Sequence, residues 1–99
     1  RVDHDVTWTV AALGDLEAIV RFVAADRPAA AEQLRLDLLG SVEVLARFPD
    51  LGPVYERDRT GRTREIVCHR YRIFYRVIRV ARRVEVLAVR HGARQDPPG

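Results

Sequence analysis

Hydrophobic and polar positions change their period twice along this 99-residue chain. Asp5-Val6-Thr7-Trp8-Thr9-Val10 alternates and is rich in β-branched and aromatic residues, which predicts a strand over 5–10. From Ala11 the spacing becomes helical. Leu16, Ile19, Val20 and Val23 share one face, with Asp15 and Glu17 near the start, where the helix dipole favours negative charge. Pro28 breaks that pattern and suits the first turn of a second helix, capped by Asp26 or Arg27 and running to about Arg47. Its apolar stripe is Leu34, Leu38, Val42 and Leu45, with Ala31 one turn earlier, while Glu32, Arg35, Asp37 and Glu43 face largely away. So short a connection makes the two helices antiparallel. Phe48-Pro49-Asp50-Leu51-Gly52-Pro53 stops the second helix, and residues 54–62 read as a polar loop. Period-2 alternation then predicts strands over about Thr63–His69, Tyr71–Val80 and Val84–Arg90, the last two joined as a hairpin through Ala81-Arg82-Arg83. The tail from about residue 93, ending Asp96-Pro97-Pro98-Gly99, is expected to fray. The predicted fold class is α+β, ordered β-α-α-β-β-β. A mostly antiparallel four-stranded sheet packs on an N-terminal helical hairpin, in a single domain over 1–99.

Composition narrows the class. A hydrophobic fraction of 47% with 31% charged residues is that of a globular chain. No apolar run reaches the roughly 18 residues that span a bilayer, and the first residues have no apolar signal region behind them, so a cytoplasmic protein is expected. The lone Cys68 makes no internal disulfide. With no methionine in the chain, Arg1 is not expected to be the natural start.

All 17 strong bases are arginine; there is no lysine. As a total this is what a GC-rich genome produces. The distribution says more. Residues 1–56 hold 5 Arg and 10 acids, and residues 57–99 hold 12 Arg and 4 acids, formal nets of −5 and +8. An acidic half followed by a basic half suggests a face that meets an anionic partner.

Arg62, Arg64, Arg70, Arg72, Arg76, Arg90 and Arg94 fall on or beside the three C-terminal strands. Side chains two apart on a strand share a face, so Arg70, Arg72 and Arg76 are expected to project together. Three readings stay open for them: bidentate binding of phosphates, binding of carboxylates on an acidic peptide, or a solvated face that keeps the chain soluble. His91 ends the last strand between Arg90 and Arg94, where cationic neighbours favour a neutral imidazole suited to a general base; a local hydrogen-bonding role is the plainer alternative. Tyr71 and Tyr75 read as packing residues. Cys68 reads as a small buried residue at a strand end. No metal site or cofactor is expected: His4, His69 and His91 are scattered, Cys68-His69 is a lone pair, and there is no Gly-rich phosphate loop, GxSxG or HExxH.

Taken in order, several segments resemble the RelE/ParE toxin superfamily of bacterial type II toxin–antitoxin systems. They are Val6-Thr7-Trp8, Ala11-Ala12, Asp15-Leu16 with Ile19, Pro28-Ala29-Ala30, Leu45-Ala46-Arg47-Phe48-Pro49-Asp50-Leu51-Gly52, Arg64-Glu65-Ile66-Val67, Tyr71-Arg72-Ile73-Phe74-Tyr75-Arg76-Val77 and Val86-Leu87-Ala88-Val89-Arg90-His91-Gly92-Ala93-Arg94. The resemblance covers nearly the whole chain. It implies a small toxin held inactive by a cognate antitoxin whose acidic segment wraps it, with operator DNA reached only through the complex.

Within the superfamily, RelE-like members cut mRNA on the ribosome and ParE-like members poison DNA gyrase. The nuclease branch draws on Lys, Arg, Glu, His and a Tyr near the C-terminus. This chain has no Lys and no Tyr after Tyr75. Arg64, Arg72 and Arg90 match basic positions of that branch and His91 would stand in as base, a set incomplete for phosphodiester cleavage. Tyr-Arg-Ile-Phe-Tyr-Arg and His-Gly-Ala-Arg resemble the ParE-like branch. The expected function is therefore gyrase inhibition by a binding protein rather than an enzyme, with Arg70, Arg72, Arg76 and Arg94 as its binding surface. The alternatives are a ribosome-dependent mRNA interferase and a non-toxic relative acting only as a complex partner.

Overall fold

The computed structural model describes residues 3–92. The predicted frayed tail and Arg94 lie outside them. The elements are β1 (Asp5–Trp8), α1 (Val10–Ala24), α2 (Pro28–Glu43), one 3₁₀ turn (Val44–Ala46), β2 (Thr63–Cys68), β3 (Tyr71–Ile78), a second 3₁₀ turn (Arg79–Ala81) and β4 (Arg83–His91). Strand order is β1-β4-β3-β2. The helical hairpin carries the chain across the sheet, so β1 lies parallel to β4, whereas the β4–β3 and β3–β2 pairs are antiparallel. The predicted α+β architecture is the observed one.

Thr9 ends β1 rather than extending it. Its hydroxyl accepts the Ala12 N–H at 3.0 Å, capping α1, so Val10 becomes an exposed first helical residue. Ala12 and Leu16 are then buried, with Ile19 and Val20 packed behind them. Pro28 opens α2 and Arg27 holds the N-cap position. The predicted stripe of α2 is buried at Ala31, Leu38, Val42 and Leu45, and Leu34 packs against the same core. Arg35 reaches Glu17 across the hairpin at 3.0 Å.

One face of the sheet meets the helices. Val6 and Trp8, Ile66 and Cys68, Tyr71 and Ile73, and Val86 and Val89 pack with Ala12, Leu16, Leu38 and Val42. Strand β4 keeps Val86 and Val89 on this face only because the register shifts between Phe74 and Tyr75: Phe74 pairs with Ala88 and Tyr75 with Val86, leaving Leu87 as an extra residue. Ala88 and Val89, although neighbours, are both buried because both faces are covered: Ala88 lies under Tyr55 and Phe74, and Val89 under the helices. Thr9 serves the bulge as well, its hydroxyl lying 3.4 Å from the Leu87 carbonyl.

The Phe48-Pro49-Asp50-Leu51-Gly52 stretch is built around Tyr75. The buried Tyr75 hydroxyl donates to the Pro49 carbonyl at 2.8 Å and accepts the Gly52 N–H at 2.9 Å. Burial pushes its phenol pKa up. Tyr75 is thus a packing residue with a hydrogen-bonding end. Tyr75→Phe keeps the ring and strands the buried Gly52 N–H. It is expected to cost about 1–2 kcal/mol in urea unfolding, with the folded circular dichroism spectrum unchanged.

The predicted polar loop is only partly polar. Pro53 and Tyr55 continue the sheet beside β2, through Glu65 N–H to the Pro53 carbonyl at 3.1 Å and Tyr55 N–H to the Thr63 carbonyl at 2.7 Å. Tyr55 then folds onto the sheet face away from the helices, where it is buried against Phe74 and Ala88.

Candidate functional site

The sheet face opposite the helices is where alternation along β3 places Arg72, Phe74 and Arg76. Arg72 sits opposite Val67 and Arg90, Phe74 opposite Glu65 and Ala88, and Arg76 opposite Thr63 and Glu85. Phe74 and Tyr55 meet edge to face with ring centroids 4.9 Å apart. The Arg72 guanidinium lies over the Phe74 ring at 5.1 Å and the Tyr55 ring at 5.9 Å, and both its Nε and Nη2 reach one Glu65 oxygen at 2.9 and 2.8 Å. Arg76 holds Glu85 in the same way, at 2.8 and 2.7 Å.

Arg70, Arg72 and Arg76 are not one row. Strand β3 begins at Tyr71, so Arg70 sits in the two-residue turn after β2, exposed, its carbonyl accepting the Gly92 N–H at 2.6 Å. His69 beside it takes a left-handed φ of 56° and lies 2.7 Å from the Asp37 carboxylate on α2, which anchors the turn to the helices. The bonds from His69 and Gln33 hold the Asp37 carboxyl below the usual range. Asp37 therefore does not face away as the helical spacing predicted. Cys68, expected to be buried at its strand end, is only half-buried and donates to the Asp37 carbonyl at 3.6 Å.

Arg64 and Arg90 also have carboxylate partners, drawn from the acidic half. Arg64 turns toward the loop after α2, donating to the Gly52 carbonyl at 2.7 Å and lying 3.6 Å from Asp50. Asp50 is shared with Arg79, whose hydrogen bond depresses the Asp50 pKa. Arg90 reaches back to Asp15 on α1 at 2.5 Å, and the same Asp15 oxygen accepts the Val89 N–H at 2.9 Å. That N–H needs a side-chain acceptor because β1 ends at Trp8 and leaves this stretch of β4 without a neighbour. His91 stacks edge to face on Tyr71 at 5.5 Å, at the mouth of a cleft shared with Asp15, Ile19 and Phe22.

The −5 and +8 halves of the sequence thus interleave in space. Asp15, Asp37 and Asp50 come from the first half and meet Arg90, His69, Arg64 and Arg79 of the second. Arg64, Arg72, Arg90 and His91 do not converge on one point: Arg72 stands over the outer face, Arg64 points to the loop, Arg90 wraps the β4 edge and His91 lies against Tyr71.

Among the described residues, no group of His, Cys, Asp and Glu forms a metal site, and no helix is long and apolar enough to cross a membrane. Asp58, invisible as a structural residue in the sequence, is nine-tenths buried and organises the loop. It accepts from the Thr60 N–H and hydroxyl and from the Thr63 N–H at 2.9, 2.6 and 2.8 Å. The Thr60 and Thr63 bonds hold its carboxyl far below the usual range. A depressed carboxyl stabilises the fold above its ordinary pKa of about 4, and the contribution is lost as pH falls through the folded value. Asp58→Asn is therefore expected to be less stable than the parent at neutral pH. The gap between their urea midpoints should narrow from about pH 5 downward.

A family model described as the ParE toxin of the type II toxin–antitoxin system parDE matches residues 6–96. The chain belongs to this family. Its fold is also similar to that of two solved structures. One is a chromosomal ParDE toxin–antitoxin system from P. aeruginosa, with a TM-score of 0.75 and 20% identity over 89% of this chain and 95% of that one. The other is the RelBE2 toxin–antitoxin complex from Mycobacterium tuberculosis, with a TM-score of 0.66 and 22% identity over 94% of this chain and 95% of that one. No curated protein sequence matches the chain. In this ParE-family toxin the Phe48-Pro49-Asp50-Leu51-Gly52 stretch is the clamp on Tyr75, and the Tyr-Arg-Ile-Phe-Tyr-Arg string is a strand with Tyr71, Ile73 and Tyr75 on its core face and ion-paired arginines on its outer face.

Proposed function

We propose that this toxin arrests growth in the cytoplasm by binding DNA gyrase, and that a cognate antitoxin neutralises it. The observation that carries the reading is the pairing of the three arginines that an mRNA-cleaving site would use. Arg64 is held by the Gly52 carbonyl and Asp50, Arg72 by Glu65 and Arg90 by Asp15. A phosphodiester-cleaving site needs uncommitted cations beside an acid and a base. Here the charges are answered locally, and the outer face over β3 and β4 is filled by Tyr55 and Phe74 instead of forming a basic cleft. The match to the ParE family supports the same branch.

An antitoxin partner is supported by the two similar folds, both from toxin–antitoxin systems. In this reading operator DNA is bound by the antitoxin complex. Arg70, exposed on its turn, and the half-exposed Arg76 belong to the surface open to antitoxin or target, whereas Arg72 is held by Glu65 and Arg94 lies outside the described residues. Controlled expression without antitoxin tests it. Filamentation and an SOS response with intact messages are expected. Shortened messages without an SOS response would replace gyrase with the ribosome, and normal growth would leave only a complex partner.

A further inference from the structure

At the end of the sheet where β2 begins and β3 ends lies a cavity of about 350 Å³ walled by Arg62, Arg64, Arg76 and Arg79, together with Val77 and Ile78. Two carboxylates answer these four guanidinium groups: Asp50, shared by Arg64 and Arg79, and Glu85, held by Arg76. The Arg62 side chain is exposed and meets no carboxylate among the described residues. The buried acid of the adjoining loop, Asp58, is taken up by Thr60 and Thr63. Positive charge is in surplus in a concave site.

We propose that this cavity seats the phosphodiester backbone of nucleic acid, without regard to base sequence. Guanidinium groups meet phosphate oxygens through paired N–H donors, which Arg62 offers uncommitted and Arg79 offers by exchange, while Arg64 and Arg76 stay with Asp50 and Glu85 and wall the hollow. No aromatic ring lines the cavity, so it offers no platform for stacking a base. The Arg79–Asp50 pair is open to exchange with an incoming anion, since the two side chains are 61% and 52% exposed. A further arginine, Arg83 at the start of β4, pairs with Ile78 of the cavity wall, which extends the basic track beyond one phosphate. An acidic peptide fits less well. Peptides dock on sheets largely through main-chain bonds to a free edge, and here the edge of β2 is already paired by Pro53 and Tyr55. The proposal stands whichever cellular target the toxin has.

Fluorescence anisotropy with a short labelled duplex DNA, read over a salt series, tests it. Arg62→Ala with Arg79→Ala is expected to weaken binding about tenfold at low salt and to reduce the slope of log K against log salt by about 2. Arg62→Lys with Arg79→Lys should retain most of the binding. Arg21→Ala with Arg27→Ala removes equal charge from the helical side and should change affinity less than about twofold. Equal losses for single-stranded DNA and RNA of the same length support backbone recognition. Thermal melts establish that each variant folds, and Arg62→Glu alone, on an exposed side chain, serves if the double variant does not. The proposal is overturned if the parent protein fails to bind DNA, if the helical-side double variant loses as much affinity, if the loss is confined to one base sequence, or if polyglutamate binds more tightly than DNA.

Discussion

Gly52→Ala is expected to destabilise the protein by about 2–3 kcal/mol, a fall in melting temperature of roughly 10–20 °C for a domain of this size. The cause is a backbone approach. A Cβ on Gly52 would come within 2.9 Å of the Glu65 carbonyl carbon, closer still to its oxygen, and 3.0 Å from the Ile66 Cγ2. The two nearest atoms are Glu65 backbone, which no side-chain rotation can clear. Moving Gly52 away would also loosen its N–H from Tyr75 and its carbonyl from Arg64. Gly40→Ala is the matched comparison, because nothing lies within 4 Å of a Cβ built there. In an α2 interior that change is expected to raise stability by about 0.5–1 kcal/mol. Thermal melts of the two variants beside the parent measure both effects.

Asp15→Ala is expected to cost about 2 kcal/mol. One oxygen of Asp15 satisfies both the Val89 N–H and the Arg90 guanidinium, so its loss leaves a backbone donor and a half-buried cation without that partner. Arg90→Ala should cost about half as much, because the carboxylate keeps the Val89 N–H. Glu17→Ala, which breaks the more exposed pair with Arg35, should fall within about 0.5 kcal/mol of the parent. A double-mutant cycle on Asp15 and Arg90 by urea unfolding would give their coupling directly.

These two sites mark the boundary of what the residue pattern discloses. The helices and strands are legible because Leu16, Ile19 and Val20, then Ala31, Leu38, Val42 and Leu45, keep the helical period, while Ile73, Tyr75 and Val77 keep the period of two. The extra residue Leu87 is not legible. A bulge interrupts the alternation that would announce it, and its signature, Val86 and Val89 three apart on one face, is lost in an apolar run that reads equally as a fully buried strand. Tyr55 hides in a run of charged and turn residues, although an aromatic in such a loop is the one position that asks for a pocket. The Asp15–Arg90 and Asp50–Arg64 pairs join residues 75 and 14 positions apart, so only the folded chain brings them together. That is why a sequence that divides into an acidic and a basic half folds into a molecule whose strand arginines are mostly matched. The surplus is left at the mouth of β2, around Arg62 and Arg79.

Gyrase supercoiling in the presence of the purified toxin decides between gyrase and the ribosome as target. A dose-dependent loss of supercoiling is expected, relieved by the cognate antitoxin, while message on translating ribosomes stays intact at the same toxin concentrations. Full gyrase activity together with cleavage of ribosome-bound message would contradict it.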